Sequence, residues 1–177
     1  MSDIVIVEDK LKRGISLAEQ FEELDKKHPE WNLKVRAVCY FHTNEEMARR
    51  EIENYGNHSF EMRPVSLWNF DEVMDEYLDM EEGHTIAIID YFLDGDGSGG
   101  IPMHRVNIRY ARRMDESKKS RMWFYTGTGL DNQKILCELV GKEHVLEVDE
   151  VGDGFLRLNL ENEKLQKAIQ ENSMVGV

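Results

Sequence analysis

Basic charge is scarce in this chain: 22 lysines and arginines stand against 35 aspartates and glutamates, a formal net charge of −13. That summed field repels a phosphate backbone and does not favour nucleic acid as a partner. Cysteine is nearly missing. Cys39 and Cys137 are the only two, each in an apolar segment; with no Cys-x-x-Cys or Cys/His spacing they read as reduced core residues, not a zinc site. No apolar run approaches the roughly 20 residues a membrane helix needs. The start, Met-Ser-Asp-Ile, has no basic region followed by an apolar stretch. A cytoplasmic protein without a membrane segment is the expectation. The chain also lacks internal repeats, low-complexity segments and any linker-like stretch.

What remains is an ordinary globular composition, 41% hydrophobic and 32% charged over 177 residues. That length suits one domain, 1–177, able to bury roughly two-thirds or more of its unfolded surface. One local basic stretch exists: Arg105, Arg109, Arg112, Arg113, Lys118, Lys119 and Arg121. Its helical spacing reads as a solvated face or as a docking surface for an acidic partner.

Apolar runs at Ile4 to Val7, Ile86 to Ile89 and Met122 to Tyr125 are continuous, as in strands covered on both faces of a parallel sheet. Leu33 to Val38 and Val145 to Val148 look half exposed and suit the sheet edges. Helical patterns lie between them: Leu11, Ile15, Ala18, Phe21; Ile108, Ala111; Ile135 to Val140 before Gly141; and Leu165, Ala168, Ile169. Alternation of strand and helix predicts an α/β fold with a doubly wound, five-stranded parallel sheet. The segment 42–83, between the second and third strands, is about twice what one crossover helix needs. Thr43-Asn44-Glu45-Glu46 has capping-box form for one helix through Tyr55, and Asn69-Phe70-Asp71-Glu72 opens a second. Phe60 to Leu67 reads as an added strand, placed at an edge because Pro64 cannot donate a ladder hydrogen bond.

Ligands of doubly wound sheets bind beyond the carboxyl ends of the strands. Ile4-Val5-Ile6-Val7 runs into Glu8-Asp9, and Ile86 to Ile89 runs into Asp90, so neighbouring strands would bring three carboxylates to one rim. Two like charges about 4 Å apart repel by ~4 kcal/mol at an effective dielectric near 20, which protonates one acid or recruits a divalent ion. All-oxygen ligands favour Mg2+. The plainer reading makes Asp9 a cap for the helix that begins near Lys10.

The acidic pair of IVIVEDK, the strand-ending aspartate of IAIIDYFLDGDGSGG and Thr126 in MWFYTGTG together resemble the receiver domains of two-component signalling. The resemblance covers most of the chain outside 42–83 and implies a flavodoxin-like fold. It implies that Asp90 is the phosphoacceptor, that Glu8 and Asp9 hold Mg2+, that Phe92 offers the ion a backbone carbonyl, and that Thr126 contacts the phosphoryl group. It further implies a histidine kinase or phosphotransfer protein as donor and a downstream protein as output partner. The family pattern has a lysine ending the last strand, where this chain has Leu146-Glu147-Val148-Asp149; Lys134 and Lys142 are conceivable substitutes. With no residues left for an output domain, a stand-alone, non-enzymatic signalling module is expected.

Two alternatives stand beside it. One is a divergent receiver used as a binding scaffold without phosphotransfer. The other is a Mg2+-dependent phosphatase, since Asp94-Gly95-Asp96-Gly97 and Val151-Gly152-Asp153-Gly154 faintly resemble elements of haloacid-dehalogenase-type enzymes. Asp94 to Gly99 also imitates the first half of an EF-hand loop, but Arg105 stands where that loop needs a glutamate. Gly97-Ser98-Gly99-Gly100 lacks the Gly-Lys-Ser/Thr ending of a P-loop and reads as a flexible turn. Trp31, Trp68 and Trp123 read as core or interface aromatics.

Overall fold

Ile4, Val5, Ile6 and Val7 are fully buried in β1 (Ser2–Glu8), the pattern of a strand covered on both faces. The computed structural model describes residues 1–41, 45–79, 84–127, 130–152 and 155–174. On one side β1 pairs with β2 (Leu33–Tyr40), which pairs with β3 (Glu61–Val65). On the other it pairs with β4 (Thr85–Asp90), followed by β5 (Met122–Tyr125) and β6 (Val145–Leu146). All five pairings are parallel, and the order is β3-β2-β1-β4-β5-β6.

The sheet therefore has six strands, not the expected five. The added strand at 61–65 takes the edge and moves the second strand inward, so Leu33 to Val38 is not an edge after all. Pro64 sits opposite Cys39 on that outermost strand, where a missing N–H costs no further ladder bond. Removing β3 leaves the flavodoxin-like order, so the topology is doubly wound with one extra strand.

Alternation within the strands sends successive residues to opposite faces. Ile4 and Ile6 meet α1 (Leu11–Lys27) and α7 (Glu163–Met174) through Leu17, Phe21, Leu165 and Ile169. Val5 and Val7 meet α3 (Phe70–Leu78) and α4 (Val106–Arg113) through Val73, Met74, Ile108 and Tyr110. Among the described residues of the segment 42–83, α2 (Glu45–Asn54) and α3 stand on either side of β3 in the chain. The expected cap residues Thr43 and Asn44 lie outside the described residues.

Val145 to Val148 is not one strand. β6 ends at Leu146, and the chain then forms an antiparallel hairpin of β7 (Val148–Glu150) and β8 (Leu156–Leu158). The Gln20 side chain ties that hairpin to α1: its amide donates to the Leu156 carbonyl at 2.8 Å and accepts from the Leu158 N–H at 3.0 Å. A glutamine thereby satisfies two backbone groups of an unpaired strand edge. The remaining helices are α5 (Glu116–Lys119) and α6 (Leu130–Val140), the latter ending before Gly141 at φ 89°. Among the described residues no helix is long and apolar enough to cross a membrane.

The basic stretch is largely consumed inside the molecule. Arg113 pairs with Asp71, Lys118 with Asp79 at 2.5 Å, and Arg121 donates to the Leu78 carbonyl at 2.8 Å. These contacts bind α4, α5 and β5 to α3; Arg109 and Arg112 face solvent. Cys39 is buried, which pushes its thiol up to about 12, and Cys137 is half-buried. Trp31 and Trp123 belong to the core, whereas Trp68 is 80% exposed and does not.

Candidate functional site

Strand order reverses between β1 and β4: the chain steps from β1 to β2 to β3 and then returns past β1 to β4. Val7 pairs with Ile89, so Glu8 and Asp90, the last residues of the two strands, meet at this switch point. Carboxylate oxygens of Glu8, Asp9 and Asp90 all lie within 4.8 Å of one another. Glu8 and Asp90 are 1% and 3% exposed, which sets this cluster apart from a solvated acidic surface.

Each carboxylate is held differently. Glu8 Oε1 accepts the backbone N–H groups of Asp9 and Lys10, both at 3.2 Å, and Oε2 accepts the Tyr125 hydroxyl at 2.5 Å. Asp9 Oδ2 accepts the Asp94 N–H at 2.8 Å and ties the loop after β4 to the end of β1, while its buried Oδ1 has no hydrogen-bond partner. Asp9 is thus not a helix cap; α1 has Lys10 at its N-cap, with no side-chain capping bond. Asp90 Oδ1 accepts the Phe92 N–H at 3.0 Å, and Oδ2 is buried without a hydrogen-bond partner.

One cation reaches into the cluster. Arg13, in the first turn of α1, places Nη1 3.7 Å from Glu8 Oε1 and 3.8 Å from Asp90 Oδ2. Burial nevertheless dominates. It pushes Asp90 up to about 7, opposed by the Phe92 N–H and reinforced by the Asp9 charge. Burial pushes Glu8 well above the ordinary carboxylate range, helped by the charge of Asp90 and opposed by the Tyr125 phenol. Tyr125 is itself raised by burial and stays a donor.

The donor set suits a hard cation. Three carboxylates converge, two of their buried oxygens lack hydrogen-bond partners, and no sulfur joins them. Oxygens on one octahedral magnesium ion lie about 3.0 Å apart when adjacent and about 4.2 Å when opposite, so a shared ion would draw the trio inward from its spacing of up to 4.8 Å. Calcium, with longer bonds, would also fit the spacing.

Thr126 follows β5 directly and is buried; its neighbour Tyr125 pairs with Asp90 and accepts the Tyr91 N–H at 3.0 Å. It therefore lies on the same rim as the three acids. Phe92 bends back so that its N–H meets Asp90. Asn107, absent from the sequence reading, is fully buried on α4 and donates to the carbonyls of Asp90 at 2.6 Å and Tyr91 at 3.2 Å. Arg13 and Tyr125 are the other two polar contacts that the sequence reading passed over.

The competing motifs go elsewhere. Asp94 is exposed and pairs with Lys10 at 3.7 Å, while buried Asp96 lies 3.7 Å from Arg105, which stacks over Phe92 and Tyr91 at 4.6 and 5.1 Å. The residue that breaks the EF-hand pattern thus neutralises that loop's own aspartate. Asp153 lies outside the described residues. Glu147 and Asp149 are exposed, and so are Lys134 and Lys142, on α6 and in the turn after it.

The strand order with β3 included is also that of dinucleotide-binding sheets. The turn after β1, Glu8-Asp9-Lys10-Leu11-Lys12-Arg13-Gly14, has no Gly-x-Gly-x-x-Gly and sets acids where a pyrophosphate would lie. No protein-family model matches this chain, and no match was found among curated proteins or solved structures.

Proposed function

We propose that the chain is a receiver-like signalling module that takes Mg2+ at Glu8, Asp9 and Asp90 and is phosphorylated on Asp90. The observation that carries this reading is the pairing of a buried three-carboxylate cluster at the switch point with an unsatisfied Asp90 Oδ2. Mg2+ would be held by the three side chains, with the Phe92 carbonyl as a further ligand, and would neutralise oxygens of both acceptor and incoming phosphoryl group. The chain's own residues do the rest. The Phe92 N–H and Asn107 fix the end of β4, Tyr125 and two backbone amides fix Glu8, and Thr126 offers a hydroxyl on the same rim for the transferred group. Such a contact would draw the loop after β5 inward and give a partner protein a changed surface to read. The donor would be a histidine kinase or phosphotransfer protein, and the module is not itself an enzyme.

Addition of beryllium fluoride with Mg2+ is expected to shift the backbone amides around Thr126 in the wild type and to leave them in place in Asp90→Asn. Unmoved amides in the wild type contradict the reading. A second reading, a scaffold without phosphotransfer, is favoured by the acidic residues at 147 and 149. Asp90-dependent labelling by acetyl phosphate would remove it. The phosphatase alternative has less support, because Asp94 and Asp96 are engaged by Lys10 and Arg105.

A further inference from the structure

Within the phosphorylation reading, on which this rests, a positive charge is needed beside the transferred phosphoryl group, and the last strand does not bring one. We propose that Arg13 is that charge, a catalytic residue supplied by the first helix in place of a lysine from the end of the sheet.

Geometry selects it. The reactive oxygen of Asp90 must be Oδ2, because Oδ1 is already committed to the Phe92 N–H while Oδ2 is buried without a hydrogen bond. The Arg13 Nη1 is 3.8 Å from that oxygen. Its stem rises from the first turn of α1, rigidly joined to β1 by Asp9 and Lys10, and its side chain is 20% exposed, open enough to pivot toward a group arriving from solvent. Lys134 and Lys142 are exposed on α6 and the turn after it, and Glu147 beyond β6 carries the wrong sign.

The step balances without a further reactant beyond an acyl phosphate. The carboxylate Oδ2 of Asp90 attacks the phosphorus of acetyl phosphate. A new O–P bond forms, the bond from phosphorus to the acetate oxygen breaks, and acetate leaves with the electron pair. Asp90 now carries a doubly negative group where a carboxylate oxygen stood. A guanidinium presents parallel N–H donors that match a phosphoryl edge, so Arg13 exchanges its long contact to Oδ2 for charge-assisted bonds to the transferred oxygens. In the unphosphorylated protein the same side chain lies across Glu8 and Asp90 and opposes a cation there, so one residue weakens metal binding and favours the phosphorylated form.

The test compares wild type, Arg13→Gln, Arg13→Lys, Lys142→Ala and Asp90→Asn. Adduct formation with acetyl phosphate and Mg2+ is followed by intact mass spectrometry, and Mg2+ affinity is measured by calorimetry without donor. Arg13→Gln is expected to lose roughly 10²-fold in labelling rate while binding Mg2+ at least about 3-fold more tightly, because a like charge has left the site. A purely structural loss would weaken both. Arg13→Lys should label within roughly tenfold of wild type, and Lys142→Ala at the wild-type rate. Wild-type labelling in Arg13→Gln, or a loss in Lys142→Ala instead, overturns the role of Arg13 and leaves phosphorylation of Asp90 standing. If the wild type itself forms no Asp90 adduct, the functional reading fails and the role of Arg13 fails with it.

Discussion

The Tyr125 hydroxyl donates to Glu8 Oε2 at 2.5 Å, linking the end of β5 to the end of β1 across the strand that carries Asp90. Both groups are buried, so this bond is worth more than an exposed one and is costly to leave unmade. It fixes the rotamer of one carboxylate of the cluster. Through the backbone it also connects the acids to Thr126, the next residue.

Tyr125→Phe deletes that donor and leaves Glu8 Oε2 buried without it. Urea denaturation without divalent ions should show a loss of about 1–3 kcal/mol, and Mg2+ affinity should fall because Glu8 becomes harder to ionise. A variant with unchanged stability would mean that the bond contributes nothing net.

Asp90 gives the fold a pH signature of its own. Its carboxyl titrates near 4 in the unfolded chain and at about 7 when folded. The folded state therefore binds the proton more tightly, and the stabilising contribution is present in full below about pH 4. It is lost as pH rises through the folded value. Asp90→Asn should thus be more stable than wild type above pH 7 without divalent ions, by on the order of 1–3 kcal/mol, with the difference narrowing toward pH 4. Thermal melts of the two proteins across that range check it; parallel curves would contradict the burial account of Asp90.

Asn107 bridges α4 to the two carbonyls at the end of β4. Asn107→Ala removes both bonds and leaves the two carbonyls without that donor, so a loss of about 1–3 kcal/mol is expected, together with weaker Mg2+ binding as Asp90 loses its fixed backbone. Retained affinity would show that the β4 terminus is held by its strand pairs alone.

The two strands that build the site were legible because each is an unbroken apolar run that stops at an acid. Ile4 to Val7 and Ile86 to Ile89 announce burial, and their ends announce the rim. β3 was harder to place: Glu61-Met62-Arg63-Pro64-Val65 has neither clean alternation nor a long apolar run, and only the proline pointed to an edge. The β7–β8 hairpin was invisible because its three-residue strands depend on α1, through a Gln20 contact 136 residues away in sequence. Tyr125 escaped notice for a related reason. Its apolar neighbours explained its burial, and its partner Glu8 is 117 residues distant. Arg13 looked like one more charge on a lysine- and arginine-rich helix start, and only folding brings it to within 4 Å of two acids.

The central claim is that Glu8, Asp9 and Asp90 together hold one divalent cation. A crystal soaked with Mn2+ as an anomalous stand-in for Mg2+ tests it most directly. A single anomalous peak within about 2.0–2.4 Å of an oxygen from each of the three side chains, or joined to one of them through a single water, is the expected result. Absence of a peak between β1 and β4 at saturating Mn2+, or one whose ligands exclude Asp90, would contradict it.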